Sequence, residues 1–181
     1  MTDAQLIERS LANGETFALL FDRHFRAIHR FLRGRAGAEV ADDLASETFA
    51  VAFRRRATYD VSRADARPWL YGIAVNLLRE RRRSEQRRLR AYARVGPYGE
   101  ESPTAEGHLD SSLATALLEL SLEDRNLILL VAWAGLSYEQ LAEALALPVG
   151  TVRSRLSRTR AKLRASLGVT EVALAPGGEA S

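Results

Sequence analysis

Hydrophobic residues in the first half of the chain recur at steps of three and four, the spacing of one helical face. The positions that define the first such helix are Phe17, Leu20, Phe21, Phe25, Ile28, Phe31 and Leu32. We expect this helix to end at Gly34 and Gly37, because glycine closes helices readily. A second helix is expected at roughly 39–56, and a third from Pro68, which suits a first turn, to about Arg94. No run alternates apolar and polar residues, so the pattern predicts an all-α protein.

The apolar pattern is interrupted over residues 95–111, where apolar content falls and helix-breaking residues accumulate. The breakers are Gly96, Pro97, Gly99, Pro103 and Gly107. We therefore predict two small helical domains, residues 1–94 and 112–167, joined by a flexible linker at 95–111. Residues 168–181 are expected to form a flexible tail.

Capping signals divide the second domain into short helices. Ser121 is expected to cap a helix that reaches Ala134. Ser137 and Gln140 then form a capping box that starts a helix of about eight residues. After a three-residue turn, the last helix begins at Val149, and the pair has the pattern of a helix-turn-helix.

The turn between these two helices places Ala146 at a position that commonly has a positive φ. Glycine is the usual residue in that conformation because it lacks a Cβ. We expect Ala146 to hold the turn at a cost of about 1–2 kcal/mol, unless the turn relaxes.

The last helix combines an apolar stripe, which includes Val152 and Leu156, with a basic face on its opposite side. The residues of the basic face are Thr151, Arg153, Ser154, Arg155, Arg158 and Lys162. Arginine can bond guanine bidentately in the major groove, and Ser or Thr can bond bases or phosphates. The face is therefore either a DNA-reading surface or a solvated basic surface.

The third helix of the first domain also carries an apolar and a basic side. The basic side holds Gly72, Asn76, Arg79, Arg83 and Arg90, and arginine occupies seven of the twelve positions in 79–90. Like charges at such spacing destabilise a helix, and a polyanion would relieve the repulsion. A solvated basic end outside the fold is the alternative.

Trp69 lies at the edge between these two sides, where it could serve as a core anchor or stack on a base. The preceding polar loop, residues 60–67, could hold an unpaired base or simply connect two helices. The sequence leaves both pairs of alternatives open.

Composition and charge narrow the classes of function. The chain has 181 residues, 46% of them hydrophobic, and no cysteine, which excludes disulfides and thiolate zinc sites. The net charge of +3 is uneven: residues 1–95 hold 19 basic and 12 acidic side chains, whereas residues 96–112 hold four acids and no base. Of the 26 cations, 25 are arginine, whose planar fork suits phosphate groups.

Other classes of protein fit the sequence poorly. Two of the three histidines, His24 and His29, are five residues apart and would point away from each other on a helix, so we expect no metal and no cofactor. Phosphate-binding glycine loops and nucleophile elbows are absent, so we expect no enzyme. The longest apolar run, 127–136, is far short of the roughly 20 residues of a membrane span. The N-terminus lacks the features of a signal peptide, and we expect a soluble, cytoplasmic protein.

Three segments together resemble bacterial RNA polymerase sigma factors of the extracytoplasmic-function (ECF) class, within the sigma-70 family. Residues 135–163 are similar to the C-terminal domain of that class, and residues 67–79 are similar to its promoter-opening helix. Residues 42–49, with the sequence DDLASETF, are similar to its polymerase-binding helix. The segments occur in the family order and with the family spacing, and the linker lies between residues 67–79 and 135–163.

The resemblance implies a protein that docks on core RNA polymerase and directs transcription initiation from promoter DNA. The first domain would read and melt the −10 element with Arg63, Trp69, Asn76, Arg79 and Arg83. The second domain would read the −35 element with Thr151, Arg153, Ser154, Arg155 and Arg158. Contact with polymerase would fall to Asp42, Asp43, Leu44, Glu47, Thr48, Phe49 and Phe53. An anti-sigma factor is a further partner that the resemblance implies.

Two alternatives remain open beside this interpretation. The apolar members of the polymerase set, Leu44, Phe49 and Phe53, could instead belong to the core. The second domain alone would also suit a helix-turn-helix regulator that acts without polymerase. Such a regulator should bind its operator unaided, whereas a sigma factor should need polymerase for stable promoter binding.

Overall fold

The computed structural model describes residues 1–93 and 111–167, which form helices and turns without a strand in those ranges. The α-helices are α1 (Asp3–Ala12), α2 (Phe17–Ala36), α3 (Ala38–Arg55), α4 (Arg67–Ala93), α5 (Ser111–Leu118), α6 (Leu122–Ala134), α7 (Tyr138–Leu145) and α8 (Val149–Ser166). Short 3-10 turns precede α2 and follow α3. The all-α prediction is confirmed, while the predicted linker, apart from Ser111, and the tail lie outside the described residues.

The core of the first half forms where the apolar stripes of α1 to α4 meet. On α2, Leu20, Ile28 and Phe31 are at most 1% exposed, as the three-four spacing requires. Leu70 of α4 is fully buried in the same cluster, and the Tyr71 ring packs edge-on against Phe31 at 5.4 Å. Aromatic and aliphatic packing of this kind fixes α4, the helix that carries the arginine-rich segment.

Of the two glycines predicted to end α2, Gly37 does so and Gly34 does not. Helix α2 continues through Gly34 and ends at Ala36, and Gly37 closes it with φ 82°. Gly34 is instead a packing position, because a Cβ there would collide with the ring of Trp133 from α6. The glycine thus admits an aromatic ring from the distant half of the chain, a contact that local sequence does not announce.

The helix-turn-helix forms as the capping pattern predicts. The Ser137 side chain accepts from the amide of Gln140, and the Gln140 side chain accepts from the amide of Ser137, which completes the capping box. Ala146 lies in the left-handed region with φ 53°, so the expected strain is present. Leu147 donates its amide to the carbonyl of Ala142 at 2.9 Å, the closing bond of a Schellman turn.

The two halves of the chain pack against each other and share one apolar cluster. Helix α7 lies against α4, and α6 lies against α2. At the closest approach, a Cβ on Gly72 of α4 would lie 2.9 Å from the carbonyl oxygen of Ala144 in α7. We call this region, where α2 and α4 meet α6 and α7, the seam. It gives the described residues a closed arrangement.

Candidate nucleic-acid interface

The exposed face of α8 is the more accessible of the two basic surfaces. Val152, Leu156 and Thr159 are at most 1% exposed and fix the rotation of the helix. Arg153, Ser154 and Arg158 are exposed, whereas Thr151 and Arg155 are half-buried. Three of the five predicted −35 residues are therefore exposed on α8, and the other two lie at the margins of its buried stripe.

Local bonds hold this face in order. The Ser154 hydroxyl donates to the carbonyl of Thr151 at 3.1 Å, and Arg158 Nε donates to the carbonyl of Ser154 at 3.3 Å. Arg153 lies 4.0 Å from a carboxylate oxygen of Glu139 on α7, close to the limit of an ion pair. These exposed contacts are weak, so the guanidinium groups can exchange them for DNA.

The basic side of α4 is less accessible. Asn76 and Arg83 are exposed, and Arg79 is half-buried, with its Nη1 donating to Asn76 Oδ1 at 3.3 Å. Gly72, which shares this side, faces α7 instead of solvent. Three residues of this side are therefore exposed or half-exposed, and its N-terminal end lies under the second half of the chain. The side chain of Arg90, also predicted on this side, lies outside the described residues.

Trp69 packs against the core at the start of α4, half-buried, with its ring 5.0 Å from that of Tyr59. In this closed arrangement it serves as an anchor for the preceding loop. The Tyr59 hydroxyl donates to the carbonyl of Arg63 at 2.6 Å, and burial raises the pKa of Tyr59, aided by Asp3. A hydroxyl that stays protonated keeps this donor available to the loop.

A buried carboxylate fixes the same loop from its other side. Asp3 is 5% exposed, and its oxygens accept from the amide of Ala66 at 3.0 Å and from Arg23 at 2.6 Å, and lie 2.8 Å from His24 Nε2. Burial alone would raise the pKa of Asp3. The hydrogen bonds of His24, Ala66 and Arg23, with the charge of His24, outweigh burial and lower the pKa of Asp3 to about 2. Sequence reasoning missed this anchor, because Asp3 and Ala66 are 63 residues apart.

Helix α7 covers part of the loop that precedes α4. Gln140 Nε2 donates to Asp65 Oδ2 at 2.8 Å, while the Oε1 of the same side chain completes the capping box. Glu143 forms an ion pair with Arg63, one of the predicted −10 residues. Arg67 Nη1 donates to the carbonyl of Ala134 at 3.4 Å. Loop 60–67 is therefore bound to the second half of the chain rather than free.

The predicted polymerase set divides into exposed and buried residues. Asp42, Asp43 and Glu47 are exposed on α3, with an oxygen of Asp42 2.8 Å from His29 Nε2. Phe53 is 37% exposed, and the guanidinium of Arg56 lies 3.8 Å from its ring centre. The remaining three side chains are at most 3% exposed: Leu44, Thr48 and Phe49. The core alternative therefore holds for Leu44 and Phe49 in this structure, and four residues remain open to a partner.

A groove between α3 and α4 joins two of the predicted surfaces. Glu47 of α3 and Arg83 of α4 both line it, and Leu44 and Leu77 form part of its wall. A partner seated along α3 would thus lie next to the basic face of α4. The arrangement can bind a protein and a nucleic acid side by side.

Comparison with known proteins identifies the class. The family model of Sigma-70 region 2 matches residues 20–88, and that of Sigma-70 region 4 matches residues 111–163. The RNA polymerase sigma factor NccH of Alcaligenes xylosoxydans xylosoxydans is 31% identical, over 95% of this chain and 100% of the relative. The ECF sigma factor SigM of Mycobacterium tuberculosis is 32% identical, over 92% of this chain and 85% of the relative.

Solved structures agree. The sigma factor RpoE of Bartonella quintana, solved with the anti-sigma factor NepR, superposes with a TM-score of 0.69 at 26% identity, covering 86% of this chain and 98% of RpoE. CnrH, solved with the cytosolic domain of CnrY, gives 0.66 at 27% identity, covering 92% of this chain and 97% of CnrH. This chain belongs to the sigma-70 family of RNA polymerase sigma factors, in its ECF class.

Membership of this family makes the chain a polymerase-binding initiation factor for promoter recognition and not an enzyme. Among the described residues, no helix is long and apolar enough to cross a membrane. The same residues contain no group of three or more side chains that could hold a metal ion.

Proposed function

We propose that the two basic faces divide promoter recognition between them. The face of α8, with Arg153, Ser154 and Arg158, reads the −35 element in the major groove. The observation that carries this assignment is the exposure of these three side chains on one side of a helix-turn-helix whose opposite side is buried. Thr151 and Arg155, at the half-buried margins, contact the flanking backbone.

Helix α4 and the loop before it recognise the −10 element. Asn76, Arg79 and Arg83 offer hydrogen-bond donors to bases and phosphates along one side of α4. The loop at 60–67, with Arg63, and the ring of Trp69 accept an unpaired base after the strands separate. We assign residues 1–94 to this domain, 112–167 to the −35 domain, 95–111 to the linker and 168–181 to the tail.

The closed arrangement cannot present this −10 surface in full, because α7 lies over Gly72 and binds loop 60–67. Core polymerase therefore separates the two halves when it binds. The four exposed members of the predicted set, Asp42, Asp43, Glu47 and Phe53, provide its first contact on α3. The buried members hold α3 in position.

The partners follow from this assignment. Core RNA polymerase and promoter DNA place the activity in the cytoplasm. An anti-sigma factor is a further partner, which the Bartonella quintana complex supports by likeness. It would bind across both halves and hold them closed.

The test is transcription in vitro with core polymerase and a library of promoter fragments. Core plus the protein should yield specific run-off products, and core alone should yield none. A regulator that acts without polymerase would instead bind its sites tightly when alone. That result, with no run-off product from a folded protein, would rule out the proposal.

Opening of the seam can be measured directly. The chain contains no cysteine, so cysteines introduced as Gln86→Cys and Ser157→Cys, both at exposed positions, can carry a pair of dyes. Energy transfer between the dyes should be high in the free protein and fall when core polymerase binds. Equal transfer in both states would show that the halves do not separate.

A further inference from the structure

Three arginines from three helices converge at the seam. Arg35, near the end of α2, is 7% exposed, and its Nε donates to Asn126 Oδ1 of α6 at 2.8 Å. Arg82 of α4 reaches the carbonyl of Arg35 with Nη2, at 3.5 Å. Arg125 of α6 donates from Nη2 to the carbonyls of Leu118, at 2.6 Å, and Leu120, at 3.2 Å. We call Arg35, Arg82 and Arg125 the arginine triad.

The triad lacks a negative partner. Within the described residues, no carboxylate oxygen lies within 4 Å of any of the three guanidinium groups. Glu85 is the acid whose charge acts on Arg82, but its carboxylate is bonded to Arg81 at 3.1 Å. Burial of uncompensated charge is costly, and such groups are normally paired.

The electrostatics record this imbalance. Burial, reinforced by the charges of Arg82 and Arg125, lowers the pKa of Arg35 to about 9. Burial also lowers the pKa of Arg125, with Arg82 adding to the effect, and burial lowers that of Arg82. The three cations therefore repel one another across the seam.

Two hydrogen-bond donors at the same place are also without acceptors. Asn126 is 1% exposed and turns Oδ1 toward Arg35, which leaves its Nδ2 buried without a partner in the described part of the chain. Arg125 Nε is buried and unpartnered in the same sense. Orphaned buried donors are rare, and an ion is one of the few physical reasons for them.

The unpaired groups at this place are all hydrogen-bond donors or positive charges. A ligand that fits them must therefore carry hydrogen-bond acceptors and negative charge. We propose that the arginine triad and Asn126 form a binding site for a small, multiply charged oxyanion of the phosphate type. Guanidinium groups pair with such oxygens in charge-assisted, bidentate bonds. Arg82 and Arg125 are only half-buried, so the ligand can enter from their side.

Occupancy would stabilise the closed arrangement. Arg35 and Arg82 belong to the first half of the chain, whereas Arg125 and Asn126 belong to the second. A ligand that needs residues of both halves binds the closed state better than the open one and shifts the population toward it. The site rests on the contacts and charges of the triad, and its effect on transcription rests also on the proposed function.

The experiment uses pyrophosphate, with inorganic phosphate and ATP as separate arms, on the full chain at constant ionic strength maintained with chloride. Calorimetry should give one site per chain. At about ten times the dissociation constant, pyrophosphate should raise the unfolding temperature by about 3–6 °C. Binding by ATP would show that the site admits a phosphate carried on a larger molecule, and binding by the inorganic anions alone would show an enclosed site. Either supports the proposal.

The variants Arg82→Gln and Arg125→Gln should each weaken pyrophosphate binding by at least about tenfold, because a charged hydrogen bond is lost. The matched control is Arg26→Gln, at an exposed position of α2, the helix that carries Arg35. It should bind pyrophosphate as tightly as the unaltered chain. Equal loss of pyrophosphate binding in Arg26→Gln and Arg82→Gln would show a general effect of charge and would overturn the proposal.

A fourth variant covers the case in which removal of an arginine unfolds the protein. Asn126→Asp supplies a fixed carboxylate to the triad. It should unfold at a higher temperature than the unaltered chain without ligand and should lose most of its response to pyrophosphate. A variant that is less stable and still binds pyrophosphate would contradict the site. The dye pair at positions 86 and 157 gives an independent readout. Pyrophosphate should raise the concentration of core polymerase that is needed to separate the halves.

Discussion

The two basic helices of this sigma factor differ in how much of their reading surface is available. The face of α8 stands open along Arg153, Ser154 and Arg158, whereas the N-terminal end of α4 and the loop before it lie under α7. Both helices are rich in arginine, so composition does not distinguish them. The difference lies in packing: one basic surface is exposed, and the other is partly covered by α7.

Their supports differ as well. Loop 60–67 is fixed by a buried carboxylate, Asp3, with a full set of partners. Helix α8 follows a turn that holds Ala146 at a positive φ and stores strain. One surface is thus held by a favourable charged network, and the other is positioned by a strained turn. The following substitutions test each side of that contrast.

The largest effect is expected on the open face. Arg158→Ala should cost about 1–3 kcal/mol on the best −35 sequence, or roughly 5- to 150-fold, and relax preference at one base position. Arg164→Ala, on an exposed site further along α8, should weaken all sequences alike. Selection of −35 sequences with the reconstituted holoenzyme measures both. Unchanged base preference in Arg158→Ala would contradict the assignment.

The next effect concerns the buried anchor. The folded pKa of Asp3 is about 2, below its ordinary value of 3.8, so its charge stabilises the fold above pH 4 and that contribution disappears as the pH falls from about 4 to 2. Asp3→Asn should therefore lower the free energy of unfolding by roughly 2 kcal/mol at pH 7. The variant should also lose less stability than the unaltered chain as the pH falls from 4 to 2. Denaturant unfolding at a series of pH values checks this. Asp22→Asn, at an exposed site of α2 outside this network, should leave the loss of stability between pH 4 and 2 unchanged.

A smaller effect of opposite sign is expected at the strained turn. Ala146→Gly should stabilise the protein by up to about 1 kcal/mol, because relief of the left-handed Cβ clash exceeds the added entropy of the unfolded chain. Ala161→Gly, in the exposed interior of α8, should lose about 1 kcal/mol and serves as the control. Denaturant unfolding separates the two variants. Destabilisation of both would show that the turn is not strained.

The smallest effect is expected from the exposed contact that covers the loop. Glu143→Gln removes the partner of Arg63 across the seam and should speed hydrogen exchange in residues 64–66 by no more than about fivefold. Glu139→Gln, on the same helix but facing Arg153, should leave that exchange unchanged. If the two variants changed this exchange equally, the ion pair between Glu143 and Arg63 would not be what protects the loop.

Local spacing and capping residues predicted α2, α3, α4, α6 and the helix-turn-helix, but not α1, for which the sequence analysis predicts no helix. The positive φ at Ala146 was also foreseen, since the length of the turn dictates it. The open choice for Leu44 and Phe49 was decided by burial, which spacing alone could not supply.

The seam could not be predicted from the sequence. Arg35 and Asn126 are 91 residues apart, and Asp65 and Gln140 are 75 apart. Side chains at such separations carry no local pattern, and Gln140 already had a satisfying role as a cap. The local sequence around His24 does not indicate its buried partner, Asp3, which lies on another helix.

A methyl group added at Gly34 would have opposite effects on two properties of this protein, the stability of helix α2 and the packing of the two halves of the chain. An alanine there would strengthen α2 as a helix by about 1 kcal/mol, because glycine is a poor helix former. The same methyl would take the space of the Trp133 ring and act as a wedge between the halves. Alanine at this position would therefore stabilise α2 and at the same time push the two halves apart. The missing Cβ at Gly34, and not the weaker helix, is what makes room for the two halves to pack together.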